Sequence, residues 1–147
     1  MLPPILDEGV VLGAAPGDWR EAVLLAGRAL SDAGAATAGY AAEMVRMIDE
    51  HGPYIVVAPG LALAHARPGP EVLADGLSVV TLGIPVEFGH PYNDPVRVVL
   101  GLAISTSERH LQAIAQLANV FNDSDAVARL AGAGSADEVR GILGAPE

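Results

Sequence analysis

The chain has 147 residues, 51% hydrophobic but only 4% aromatic, and sets 18 acidic residues against 8 arginines for a net charge of −10. That length suits one domain over residues 1–147 with a sizeable core, and the acidity argues against nucleic acid or anionic membrane and for a basic protein surface as partner. With no cysteine and no lysine, disulfides, thiolate metal sites, thiol catalysis, the phosphate-loop lysine and Schiff-base chemistry are excluded.

Met1 leads into Leu2-Pro3-Pro4 without a basic segment, and every apolar run is broken short of the ~18–20 residues of a membrane span. A cytoplasmic protein without a secretory signal is expected. Val10-Val11-Leu12 reads as an edge strand. Asp18 is placed to cap a helix from Trp19 to about Ser31, with Ala22, Val23, Ala26 and Leu30 on one buried face. Gly34 closes it. A second helix opens at Thr37 or Gly39 and runs to about His51, where Gly52-Pro53 stops it. The alanine-rich helix faces suit a homodimer as well as a core.

Tyr54-Ile55-Val56-Val57-Ala58 then reads as a buried strand, and Leu77–Leu82 and Val96–Ile104 as two more. Pro85 to Pro95 is rich in turn residues and carries His90, Asn93 and Asp94. Ser107 offers the N-cap of a helix whose apolar face holds Leu111, Ile114, Ala115, Leu117, Ala118 and Phe121. A short helix from Ser124 to Leu130 and a last one from Ser135 through Leu143 complete the chain. The expected fold is a single-domain α/β protein, a small mixed β-sheet flanked by α-helices.

The signatures of serine hydrolases, phosphate loops, zincins and dinucleotide binders are absent, which leaves four histidines to carry chemistry. His51, at a helix end, has an ordinary use in complementing the dipole. His65 stands where an apolar strand ends and a loop begins, where α/β proteins place their ligands, with Arg67 two residues on to hold an anion. His90 lies in a loop, as a surface residue or as part of a substrate or partner surface. His110 lies near the start of a helix, where free N–H groups suit a phosphoryl group. A metal is the rival use of His65, His90, His110 and Asp94, but no H-x-H or H-x-x-x-H spacing supports it. No metal and no cofactor is expected.

The run from Gly52 through His65 and Arg67 to Pro68 resembles the active-site region of the mannitol/fructose-type (type 2) enzyme IIA domains of the phosphoenolpyruvate-dependent sugar phosphotransferase system (PTS). The ascorbate-specific EIIA branch is nearest. Ser78–Leu82, Pro85–Phe88, Asn93–Val96 and His110-Leu111 ahead of Asn119-Val120-Phe121 are similar to the same branch, so the likeness spans nearly the whole chain. It implies a phosphocarrier in which His65 takes a phosphoryl group from phospho-HPr and passes it to a cysteine of enzyme IIB, working with membrane IIC in the uptake of ascorbate or a related sugar. His110 would lie beside His65 and help hold the phosphate. Apart from the resemblance, the charge of Arg67 and the loop position of His90 make them candidate phosphoryl- or partner-binding residues. A regulatory module that senses phosphorylation without serving a transporter would keep the same residues. Two positions depart from the family pattern: Ala64 stands where proline usually precedes the active histidine, and Met47, with Arg46 beside it, stands where mannitol-type members carry arginine.

Overall fold

Asp18 opens the first helix as its position predicts. In the computed structural model, which describes residues 2–146, its carboxylate accepts the Glu21 N–H at 2.9 Å, and Glu21 reaches back to the Gly17 N–H at 2.7 Å. The first contact satisfies a donor that the first helical turn leaves open, and the second ties the residue before the cap to the same turn. Helix α1 (Trp19–Asp32) buries the expected stripe of Ala22, Val23, Ala26 and Leu30. Helix α2 (Gly39–His51) packs closely on it at Gly27, where an added Cβ would come within 2.3 Å of the Ala41 Cβ. The alanines of α1 are therefore spent on the core.

Five strands form one mixed sheet: β1 (Val10–Ala14), β2 (Val56–Ala58), β3 (Leu61–His65), β4 (Gly76–Val86) and β5 (Val96–Ala103), in the order β1-β4-β5-β3-β2. The β1–β4 and β3–β5 pairs are parallel; β4–β5 and β2–β3 are antiparallel. Val10–Leu12 lies on an edge strand, as expected. The apolar segment from Tyr54 to Ala64, whose first five residues read as a buried strand, departs from that reading. It holds two strands, because Pro59-Gly60 turns it into a hairpin with Gly60 at φ +78°, a conformation that costs glycine little. Strand β2 is consequently an edge, with Val57 54% exposed, and not a buried strand. Strand β4 runs past Leu82 to Val86, and β5 stops one residue short of Ile104.

Side chains of β3 alternate between two cores. Ala62 and Ala64 join the cluster under α1 and α2; Leu61 and Leu63 join the other, under α3 (Ser107–Phe121), α4 (Ala126–Ala131) and α5 (Ala136–Leu143). Helices on both faces give the flanked sheet that was expected. Ser135 caps α5, accepting the Glu138 N–H at 3.1 Å. Ser107 does not cap α3. Thr106 does, because its backbone is still extended and its hydroxyl reaches the Arg109 N–H at 3.2 Å. Helix α4 begins two residues after Ser124 and has no side-chain cap. Leu111, read as part of a buried face, is 68% exposed, and α3 fully buries only Ala113 and Leu117. No helix among the described residues is long and apolar enough to cross a membrane.

Candidate active site

His65 is the last residue of β3, paired with Leu102 of β5 at the carboxyl end of both parallel strands. Alternation sends its side chain to the Leu61 and Leu63 side, which α3 covers. Beyond β5 the chain enters α3 through Thr106, and one turn in, the His110 N–H bonds the Thr106 carbonyl at 3.0 Å. The His65 and His110 rings lie 5.2 Å apart between centroids, their planes at 51°. Residues 45 positions apart in the chain are thus brought together by one strand pair and one helix start.

The His65 Nδ1 lies 2.8 Å from the Leu63 carbonyl oxygen. A carbonyl only accepts, so Nδ1 carries the proton and Nε2 keeps its lone pair. Burial lowers the His65 pKa below the ordinary 6.5, with the Leu63 bond opposing it. His110 is also lowered, first by burial and then by the charge on His65. Both rings are neutral at pH 7, and a neutral imidazole with a free Nε2 is a nucleophile.

The loop after His65 is pinned from α2. The buried Tyr40 hydroxyl accepts the Ala66 N–H at 3.1 Å and donates to the Leu102 carbonyl at 2.7 Å, tying the ends of β3 and β5 together. Further along, Glu71 bonds Thr37 through both its side chain and its carbonyl, and Leu73 and Ala74 donate to the Ala35 carbonyl. Arg67 projects from this loop into solvent and, among the described residues, forms no ion pair. Asp75, at the loop's end, accepts from Ser105 and pairs with Arg109, holding the approach to α3. Tyr54 sets its ring edge-on to His65, 5.6 Å away at 86°. Neither tyrosine was singled out in the sequence. The one available signal for Tyr40 was a large polar-tipped residue in a helix of small ones, whose hydroxyl needs a partner once buried.

His90 is not brought to this pair. It sits in the loop joining β4 to β5, at the other end of the sheet, where the Asn93 carbonyl accepts the Gly60 N–H. Its Nδ1 accepts the N–H groups of Tyr92 and Asn93, and the Asp94 carboxylate gathers those of Phe88, Gly89 and His90. Both residues organise their own loop. His51 ends α2 next to Glu50, as expected of a helix-terminal histidine. Arg46 pairs with Glu43 and Glu50 on the exposed face of α2, while Met47 packs on the core. Among the described residues no three His, Asp or Glu side chains gather as metal ligands.

An apolar groove of about 250 Å³ lies between β2–β3 and α3, lined by Val57, Leu61, Leu63, Ile114, Leu117 and Phe121 among others, and its nearest lining residues to the pair are Leu63 and Ile114. Ile114 lies one turn beyond His110, and exposed Leu111 flanks it.

A nucleophilic imidazole at a strand end with a second imidazole beside it marks an α/β protein able to take up a group and hand it on. The chain belongs to the family described as "Phosphoenolpyruvate-dependent sugar phosphotransferase system, EIIA 2", which matches residues 5–145. It is 34% identical over 138 residues to the ascorbate-specific PTS system EIIA component of Salmonella typhimurium, covering 93% of this chain and 90% of that protein. The structure of PtxA, a PTS IIA of Streptococcus mutans, superposes with a TM-score of 0.85 at 33% identity over 94% of this chain and 88% of that one. The mannitol enzyme IIA of Escherichia coli, solved in complex with phosphorylated enzyme IIB, follows at 0.82 and 28%, over 93% and 94%. The protein is a phosphotransferase of the EIIA type, acting through a phosphohistidine.

Proposed function

We propose that His65 is the phosphorylated residue, that phospho-HPr is its donor, and that a cysteine of an enzyme IIB is its acceptor, with a membrane IIC completing the uptake of ascorbate or a related sugar. One observation carries this reading: the Leu63 carbonyl holds Nδ1–H, leaving Nε2 free beside His110. In the first step the Nε2 lone pair attacks phosphorus. The Nε2–P bond forms as the P–N bond of phospho-HPr breaks, its electron pair returning to the HPr imidazole. The His65 ring becomes cationic with its proton still on Nδ1, so the bond to Leu63 becomes charge-assisted and strengthens. In the second step a IIB thiolate bonds phosphorus and the Nε2–P pair returns to His65, restoring the neutral ring.

In this reading His110 donates to the phosphoryl oxygens, and the charge of Arg67 and the positive end of the α3 dipole add to the same field. His90, at the far end of the sheet, has no part in this step. Two findings support a protein acceptor. The chain has no cysteine of its own, and the apolar groove runs directly along the His110 helix. The ascorbate assignment draws on the ascorbate-specific relatives.

The test is phosphotransfer from phosphoenolpyruvate through enzyme I and HPr, followed by the cognate IIB. Acid-labile phosphate on His65, lost on adding IIB, is the expected result. Label retained in His65→Ala would remove His65 from the reaction.

A further inference from the structure

Tyr54 is the largest side chain against His65 that phosphotransfer leaves without a task. It lies in the turn between α2 and β2, and that turn is stiff. The Tyr54 N–H bonds the Gly52 carbonyl at 2.8 Å, and the Val56 N–H bonds the Pro53 carbonyl at 3.1 Å. Next to it, Ile55 is fully buried and accepts the Leu63 N–H at 2.8 Å. Leu63 in turn holds the His65 ring through its own carbonyl. One residue therefore fixes both the backbone beside Tyr54 and the imidazole of His65.

The Tyr54 ring stands 5.6 Å from the His65 ring at 86°, an edge-to-face contact, and its hydroxyl oxygen lies 3.5 Å from the His65 carbonyl oxygen. Its other side faces His51, 6.3 Å away at 80°. Tyr54 is 39% exposed, so its ring touches His65 from the surface without being core. Burial raises the phenol pKa, with the charge of Arg67 acting in the opposite direction, so the hydroxyl stays protonated at working pH. A large, rigid ring at that spot can hold an imidazole in one orientation and keep water from its flank.

We propose that Tyr54 is a positioning residue for His65, its ring acting as a wall that fixes the imidazole and lengthens the life of the phosphohistidine. The assignment rests on His65 being the phosphorylated residue. The competing reaction is hydrolysis: a water oxygen bonds phosphorus, the P–Nε2 bond breaks with its electron pair returning to Nε2, and inorganic phosphate leaves carrying that oxygen, the water's two protons passing to phosphate and solvent. A carrier loses its group to this reaction unless the imidazole is sheltered on every side but the one its partner uses. Tyr54 shelters one side through its ring, while its hydroxyl is incidental to the effect.

The experiment compares Tyr54→Phe and Tyr54→Ala with the wild-type protein by two readouts. The first is the lifetime of isolated phosphoprotein after enzyme I and HPr are removed. The second is NMR titration of the His65 ring without phosphate. Tyr54→Ala is expected to shorten the lifetime roughly three- to tenfold, the range of one lost aromatic contact, and to move the His65 titration up toward 6.5 by admitting water. Tyr54→Phe is expected to match wild type in both. Should the alanine variant not fold, Tyr54→Leu, which keeps an apolar side chain without the ring, takes its place. Equal lifetimes and titrations in all forms overturn the proposal, and so does a phenylalanine variant that behaves like alanine. If wild-type protein takes up no label, the phosphocarrier reading falls, and the titration arm alone decides the hold of Tyr54 on His65.

Discussion

The Nδ1 of His65 bonds the carbonyl of Leu63, two residues earlier on the same strand, at 2.8 Å. A strand does not ordinarily offer this contact, because its carbonyls are committed to neighbouring strands. It forms where β3 ends, and it fixes the tautomer without a second residue such as aspartate. The site thus needs no acidic group to orient its nucleophile, and an acid there would repel the incoming phosphoryl group.

Nitrogen NMR of the neutral protein is therefore expected to show His65 as the Nδ1–H tautomer. The phosphoprotein should carry phosphorus on Nε2. Phosphate found on Nδ1 would mean that the Leu63 contact opens before the reaction.

His110→Ala should still be phosphorylated, but more slowly. Losing one donor to a charged phosphoryl group corresponds to roughly a 10- to 100-fold slower transfer. Rapid-quench rates for donor and acceptor steps check this, and unchanged rates in both would leave His110 without a role.

Phosphorylation should raise the pKa of His110. Burial and the charge of His65 depress it in the free protein, and a phosphoryl group of about −1.5 to −2 charge beside it favours the protonated ring. The expected result is an upward NMR titration shift of His110 on phosphorylation, with proton uptake measurable in weak buffer near neutral pH.

Acid should destabilise the fold through the same pair. Both histidines have folded pKa values below the ordinary 6.5, so in mild acid the unfolded chain binds more protons than the folded one. Stability is then complete above 6.5 and declines as pH falls through 6.5 toward the folded values, levelling off below them. Urea midpoints taken between about pH 7.5 and pH 5 should follow this course, and His65→Ala should flatten it.

Tyr40→Phe removes a hydroxyl that both accepts from Ala66 and donates to Leu102 in the core. Stranding those two backbone groups should cost about 1–3 kcal/mol in urea unfolding. Transfer rates should fall too, because the loop carrying Arg67 starts at Ala66.

Much of this was legible in the chain. Period and caps gave α1, α2 and α5, and the strand-end position singled out His65 before any likeness to a family. The hairpin was hidden because Pro59-Gly60 interrupts a run that is apolar throughout, and apolarity alone does not say where a strand folds back. Thr106 lost to Ser107 because three hydroxyl residues in succession could each cap, and only backbone geometry chooses among them. Leu111 fitted a helical stripe, yet α3 lies over the sheet with part of that stripe uncovered. His90 was a candidate by its place in a turn-rich loop, and only the strand order put that loop at the opposite end of the sheet from His65. Tyr54 and Tyr40 act across distances in the chain that no local pattern encodes.

The turn at Pro59-Gly60 has a consequence for how this chain tolerates change. Strand β3 is read in twos from that turn: odd positions face α3 and even positions face α1 and α2. Inserting a single residue within β3, between Leu63 and Ala64, would turn the histidine at its end toward the wrong helices, while inserting two there would restore its facing. A residue added in the turn itself would only lengthen the loop, since pairing with β5 holds β3 in register. Phosphate uptake should therefore be lost on the single insertion inside the strand and survive the one in the turn, so that the counting of residues guards the nucleophile as strictly as the identity of the nucleophile itself.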